Sequence, residues 1–187
     1  MVIYPTKILR EKMPEVSRVD KKLVDNIGQM SRFLKGAENG AGLAAPQMGI
    51  KQRFFVLKDH EGRGKISVFI NPKVEKTYGA EVFPEMVSRD GERQDFLEGC
   101  LSFPDYWGTV KRFLKIDAVW QDEIGGQLVA RKKKLEGFDA VVFQHELDHL
   151  NGVLFVDRVK TDKGKFYKWL GGKMIKWDVD EVIKGKV

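Results

Sequence analysis

Cysteine is nearly absent from this chain: Cys100 is the only one in 187 residues. That excludes an internal disulfide framework and fits a reducing cytosol. Histidine is almost as scarce, with three in all. No apolar run approaches the roughly 18 residues of a membrane span, and the opening stretch MVIYPTKILREKMPE has no continuous apolar segment of the signal-peptide kind. The expected setting is cytoplasmic, with no membrane partner. Repeats, low-complexity tracts and obvious linkers are also missing.

What remains is ordinary for a soluble globular protein, 42% hydrophobic and 32% charged. The length is most simply one domain, residues 1–187, with room for a substantial core. A net charge of +6 favours anionic partners such as ribosomal RNA, but the excess is modest and spread out. The one dense run, Arg131-Lys132-Lys133-Lys134, reads as a solvated face, and no dedicated DNA binding is expected.

Periodicity predicts a first helix over 21–35, with Asp20 as its cap and Leu23, Ile27, Met30 and Leu34 as its stripe. Residues 40–50 read as loop. Strands are predicted at 53–57, at 66–70 (stopped by Asn71-Pro72), and at 115–120 and 127–135, the last two joined across Gly125-Gly126. Residues 77–95 read as a loop or irregular hairpin, and His60 as exposed in a turn. A helix over 138–151, closed by Gly152, is apolar nearly all round and should be buried. A last helix is placed at 162–170, with Phe166, Trp169 and Leu170 against the body. The sum is an α+β fold of mainly antiparallel strands around one buried helix, with helices near both termini.

That central helix carries His145-Glu146-Leu147-Asp148-His149, an HExxH pentad. Positions i and i+4 project from one helical face, so two imidazoles can hold one metal ion with the intervening carboxylate beside its open position. Burying two His, a Glu and an Asp is costly unless they are paired or coordinate a metal, which speaks against a chance occurrence. Val141 and Val142 precede His145 by four and three residues, on its face of the helix. With Phe138 they could line an apolar pocket or serve as plain core.

A catalytic metal usually has three protein ligands and one open position. The metzincin pattern HExxHxxGxxH fails here, since Phe155 stands at its last position. A thermolysin-like downstream Glu is replaced by Trp169, and the only later Glu is Glu181. Cys100, in Glu98-Gly99-Cys100-Leu101-Ser102, offers a thiolate; an isolated cysteine can equally be a small buried hydrophobe.

Three strings in order, GAGLAAPQ at 40–47, EGCLS at 98–102 and QHELDHLNG at 144–152, closely resemble the signature of the peptide deformylases. The resemblance implies a hydrolase that removes the N-formyl group from the N-terminal methionine of new polypeptides and releases formate. It implies Cys100, His145 and His149 as metal ligands, with water in the fourth position. Iron(II) is the metal the family typically uses, and zinc, nickel or cobalt can substitute. Glu146 would deprotonate the attacking water and later protonate the leaving amine. The Gln47 amide and Leu101 backbone N–H would stabilise the oxyanion, and the Gly42 backbone would bind the substrate. Glu98 would support the pocket wall or the Cys100 loop. Partners would be N-formylmethionyl peptides and the ribosome near the nascent-chain exit.

The chain departs from the family's pattern at Tyr106-Trp107, where a basic residue is common, and at Ala41, where a branched aliphatic is common. Residues 77–95 look longer than usual, and the C-terminal helix short. These differences bear on substrate preference and ribosome docking, leaving the chemistry intact. Two other classes remain: an ordinary zinc peptidase, which lacks its ligand, and a non-catalytic binder of formylated or acetylated N-termini, whose hallmark would be loss of Glu146, Gln47 or Cys100.

Overall fold

The computed structural model describes residues 1–59, 64–88 and 90–185; the His60 turn lies outside them. Helix α1 (Lys21–Gly36) begins where Asp20 accepts a hydrogen bond from the Leu23 N–H, 2.8 Å away. The small-residue segment expected to be loop instead forms a short strand, β1 (Gly42–Ala44), and a 3₁₀ turn, Ala45–Met48. Its three strand residues are buried and pair with β2 (Phe54–Lys58). Alternation could not show this, because a strand buried on both faces has none.

Strand β3 (Ile66–Thr77) also corrects the sequence reading: it does not stop at Asn71-Pro72. Asn71 adopts a left-handed conformation, which asparagine tolerates, and the register shifts there as a bulge. Its side chain accepts from the Val16 N–H and donates to the Val16 carbonyl, both at 2.8 Å, so the chain resumes pairing beyond the proline. Residues 77–95 hold a small hairpin, β4 (Glu85–Val87) with β5 (Arg93–Asp95). Next come β6 (Glu98–Cys100), β7 (Phe103–Gly108), β8 (Lys115–Ile124) and β9 (Gln127–Glu136), with β8 and β9 joined through Gly125-Gly126 as expected.

Helix α2 (Gly137–Leu150) is the central helix. Phe143, Ala140 and Leu150 pack into a buried cluster with Phe55 and Phe69 of a five-stranded antiparallel sheet, β1-β2-β3-β8-β9. Buried Arg53 donates to the Leu150 carbonyl and to Asn151, tying down the helix's C-terminal end.

The expected helix at 162–170 is not there. Helix α3 (Phe155–Asp162) precedes that stretch, and β10 (Phe166–Leu170) and β11 (Lys173–Lys176) form a hairpin on β7. Gly171 and Gly172 both have positive φ, the two-residue turn that joins twisted strands. The expected helix put Phe166, Trp169 and Leu170 together against the body; in the hairpin Phe166 is buried, while Trp169, on the opposite face, and Leu170 are exposed. A second sheet, β11-β10-β7-β6, results, and α4 (Val179–Ile183) follows. The fold is therefore α+β, as the sequence implied. Among the described residues no helix is long and apolar enough to cross a membrane.

Candidate active site

The side of α2 that carries its histidines faces β6. His149 Nε2 lies 3.2 Å from Cys100 Sγ, and ligand atoms of Cys100, His145 and His149 all lie within 4.8 Å of one another. Ligands at 2.0–2.3 Å around a tetrahedral ion would be separated by about 3.3–3.6 Å, so modest adjustment closes this triangle on a metal. The donor set, one sulfur and two imidazole nitrogens, suits iron, zinc, nickel or cobalt. Phe155 is buried in the core and Trp169 stands on the hairpin, so neither protease-type ligand position is filled.

Glu98 accepts from Nε and Nη2 of the Arg112 guanidinium (2.8 and 2.9 Å) and bonds His145 Nδ1 at 2.8 Å. The last bond fixes the ring so that Nε2 is left for a metal. Glu98 lines the cavity beside these residues, while its carboxylate is engaged by Arg112 and His145. Burial alone would push Glu98 up, but the Arg112 charge and hydrogen bonds, with His145, hold it down to about 2. Arg112 also bonds Asp148 at 2.6 Å, and Arg158 bonds the same carboxylate at 2.7 Å. The sequence reading missed Arg112: it sits outside every motif, and no local pattern marks it. Asp148, inside the pentad, carried only the hint that a buried acid needs a partner.

Burial holds His149 well below its ordinary range, in the neutral form a ligand requires. Burial pulls His145 the same way, yet Cys100 and Glu98 push it well above that range. The surroundings of His145 therefore favour positive charge. Among the described residues His149 Nδ1 and Glu146 Oε2 find no hydrogen-bond partner, in a place where polar atoms normally have one.

Glu146 is 3% exposed, and burial, the largest influence, raises its pKa to about 7. Its Oε1 lies against Gly42, where an added Cβ would come within 2.5 Å of it. Gly42→Ala should therefore displace the carboxylate by about an ångström and leave the Cys100, His145 and His149 triangle in place. A structure of the variant with metal analysis on the same sample would check both; an unmoved carboxylate would mean that the β1 backbone yields instead.

Gln47, 1% exposed, accepts from the Ala44 N–H through Oε1 at 2.8 Å. That leaves Nε2 to point at Cys100 Sγ (3.5 Å) and Ser102 Oγ (3.3 Å). A cavity of about 210 Å³ is bounded by Gln47, Leu101, Phe138, Val141, Val142 and Glu146, with Gly42 and Ala41 at its edge. Phe138 is not fully buried, as the apolar helix suggested; 40% exposed, it stands edge-on to Phe96, 5.9 Å between ring centres. Every candidate site residue of the sequence reading is thus gathered at this cavity or, for His149, at the ligand triangle beside it.

The sequence profile described as polypeptide deformylase matches residues 1–165. The chain belongs to the peptide deformylase family. Its reaction is the metal-dependent removal of the N-formyl group from nascent polypeptides. Peptide deformylase of Heliobacterium modesticaldum is 41% identical over 157 residues, 83% of this chain and 89% of that protein. The crystal structure of peptide deformylase from Thermotoga maritima superposes with a TM-score of 0.69 at 35% identity, covering 84% of this chain and 94% of that one. That from Plasmodium falciparum gives 0.70 at 33%, covering 87% and 88%.

Proposed function

We propose that Cys100, His145 and His149 hold iron(II), that Glu146 moves the protons of the reaction, and that Gln47 and the Leu101 N–H receive the oxyanion. The observation that carries this reading is the unpartnered oxygen of buried Glu146 beside a Cys-His-His triangle, all in one apolar cavity. When bound, the cation supplies Lewis acidity, polarising the formyl carbonyl and acidifying the attacking water. Glu146, at about 7, takes that water's proton and returns it to the leaving amine near neutral pH. Gln47 cannot turn away, because Ala44 fixes its oxygen, so its N–H meets the developing charge without reorganisation. Val141, Val142 and Phe138 seat the methionine side chain, and the Gly42 backbone aligns the peptide. A nascent formylated chain as substrate fits a cytoplasmic location beside translation.

Protein purified without oxygen and loaded with iron(II) should release formate from formyl-Met-Ala-Ser, and an acetyl-Met peptide should stay intact. A chelator should stop the reaction, and iron(II), nickel or cobalt restore it. Zinc restoring full rate while iron(II) restores none would remove iron as the native metal. A metal-loaded protein with no formate release would remove the catalytic assignment.

A further inference from the structure

The catalytic cavity adjoins a second groove. The groove holds about 540 Å³, within the range of ligand clefts, and shares Gly99, Cys100, Leu101 and Trp107 with the cavity. Its outer wall is the β10–β11 hairpin, through Trp169 and Met174. Strand register explains the grouping. Gly99 pairs with Trp107, Trp107 with Tyr167, and Trp169 with Met174. Residues opposite one another share a face, and every second residue returns to it. Trp107, Trp169 and Met174 therefore form one exposed apolar face, while Tyr106 and Phe166 turn into the core. The family match ends at residue 165 and the hairpin begins at Phe166, so the match does not extend over this wall.

We propose that the groove is an extended peptide shelf on which Trp169 and Met174 select apolar side chains at about the third to fifth residues of the formylated substrate. The inference rests on the deformylase reaction described above. The shared wall decides the occupant: the polypeptide behind a formyl-methionine at Cys100 must leave the cavity, and the turn carrying Cys100 and Leu101 lines both spaces. Neighbouring strands lie about 4.8 Å apart, which puts β10 and β11 about 10 and 14 Å from β6. An extended peptide, at about 3.3 Å per residue, crosses that distance with three to four residues. Aromatic and thioether surfaces favour apolar partners, and Asp105, which lines the groove, disfavours acidic ones.

The test compares formyl-Met-Ala-Leu-Phe, formyl-Met-Ala-Ser-Glu and formyl-Met-Ala in the native protein and in Trp169→Ser combined with Met174→Ser. The native protein should favour the apolar tetrapeptide over the acidic one by about tenfold in kcat/KM, mainly through KM. The double variant should lose this preference and keep its rate on formyl-Met-Ala. Metal-free protein illuminated with formyl-Met-Ala-Leu-benzoylphenylalanine should carry the adduct on tryptic peptides 169–173 or 174–176. Equal kcat/KM for the two tetrapeptides in the native protein, an equal fall on all three substrates in the variant, or adducts elsewhere would each overturn the shelf. So would a dimer that the double variant dissolves while the preference survives, which would make the groove an interface between copies. Absence of formate from every peptide counts against the deformylase reaction, and the cross-link still reports on the shelf.

Discussion

Glu146→Gln is expected to lower kcat for formate release by about 10²–10⁴ while the protein keeps its metal. Glutamine has the shape of the carboxylate, so it fits the space against Gly42 that alanine at position 42 would close. What it lacks is the ability to accept a proton. Burial has brought Glu146 to about 7, so that near neutrality both forms are populated and one group can serve as base and then acid. The amide cannot do either. His145 and His149 flank position 146 in sequence, but on the helix they bind through their own rings, and the substitution leaves those donors untouched. Steady-state rates and metal analysis on the same preparation check this. A fully metal-loaded Gln variant within tenfold of the native rate would show that the proton travels by another route.

Arg112→Met should cost about 3–5 kcal/mol of stability and weaken metal binding about 10–100-fold. Arg112 is 2% exposed and bridges two buried carboxylates, Glu98 and Asp148. Methionine fills much of the volume and leaves Glu98 charged, buried and without its main partner. The loss then passes to His145, whose ring Glu98 orients. The effect has a defined pH dependence. Glu98 lies at about 2 in the folded protein against an ordinary 4.5. A depressed carboxylate contributes stability that is fully present above its unfolded value and is lost as pH falls through the folded one. Here that contribution is about 3 kcal/mol at neutral pH. In the variant, burial pushes Glu98 upward instead, so the difference between the two proteins should be widest near pH 7 and narrow toward pH 3. Urea unfolding at several pH values, with a metal titration at pH 7, measures both effects. A gap independent of pH would show that Arg112 acts by packing alone.

Much of this site was legible because its parts are local. The HExxH pentad needs only helical periodicity to put His145 and His149 on one face, and α2 runs where the apolar pattern placed it. Asp20 and the Gly125-Gly126 turn were readable for the same reason: a cap and a tight turn act over two to four residues. The errors occurred where distant partners overrode local preference. Pro72 looked like the end of a strand until Val16, far back in the chain, took up Asn71 and stabilised a bulge. Phe166 to Leu170 looked helical by spacing, but β7 was available to pair with it. Ala44 and its neighbours carry no alternation because both faces of β1 are covered.

The amino-acid sequence by itself determined the class of chemistry: three short strings carry the resemblance to the deformylases, and helical periodicity alone puts His145 and His149 of the third on one face. Only the tertiary structure decided how those groups are tuned. Arg112 reaches Glu98 and Asp148 across 14 and 36 residues of chain, and the β10–β11 hairpin becomes a wall of the outer groove by adding to a strand made much earlier. Such relations depend on which surfaces meet when the core closes. Burial then sets the charge each group carries, and no local pattern encodes that.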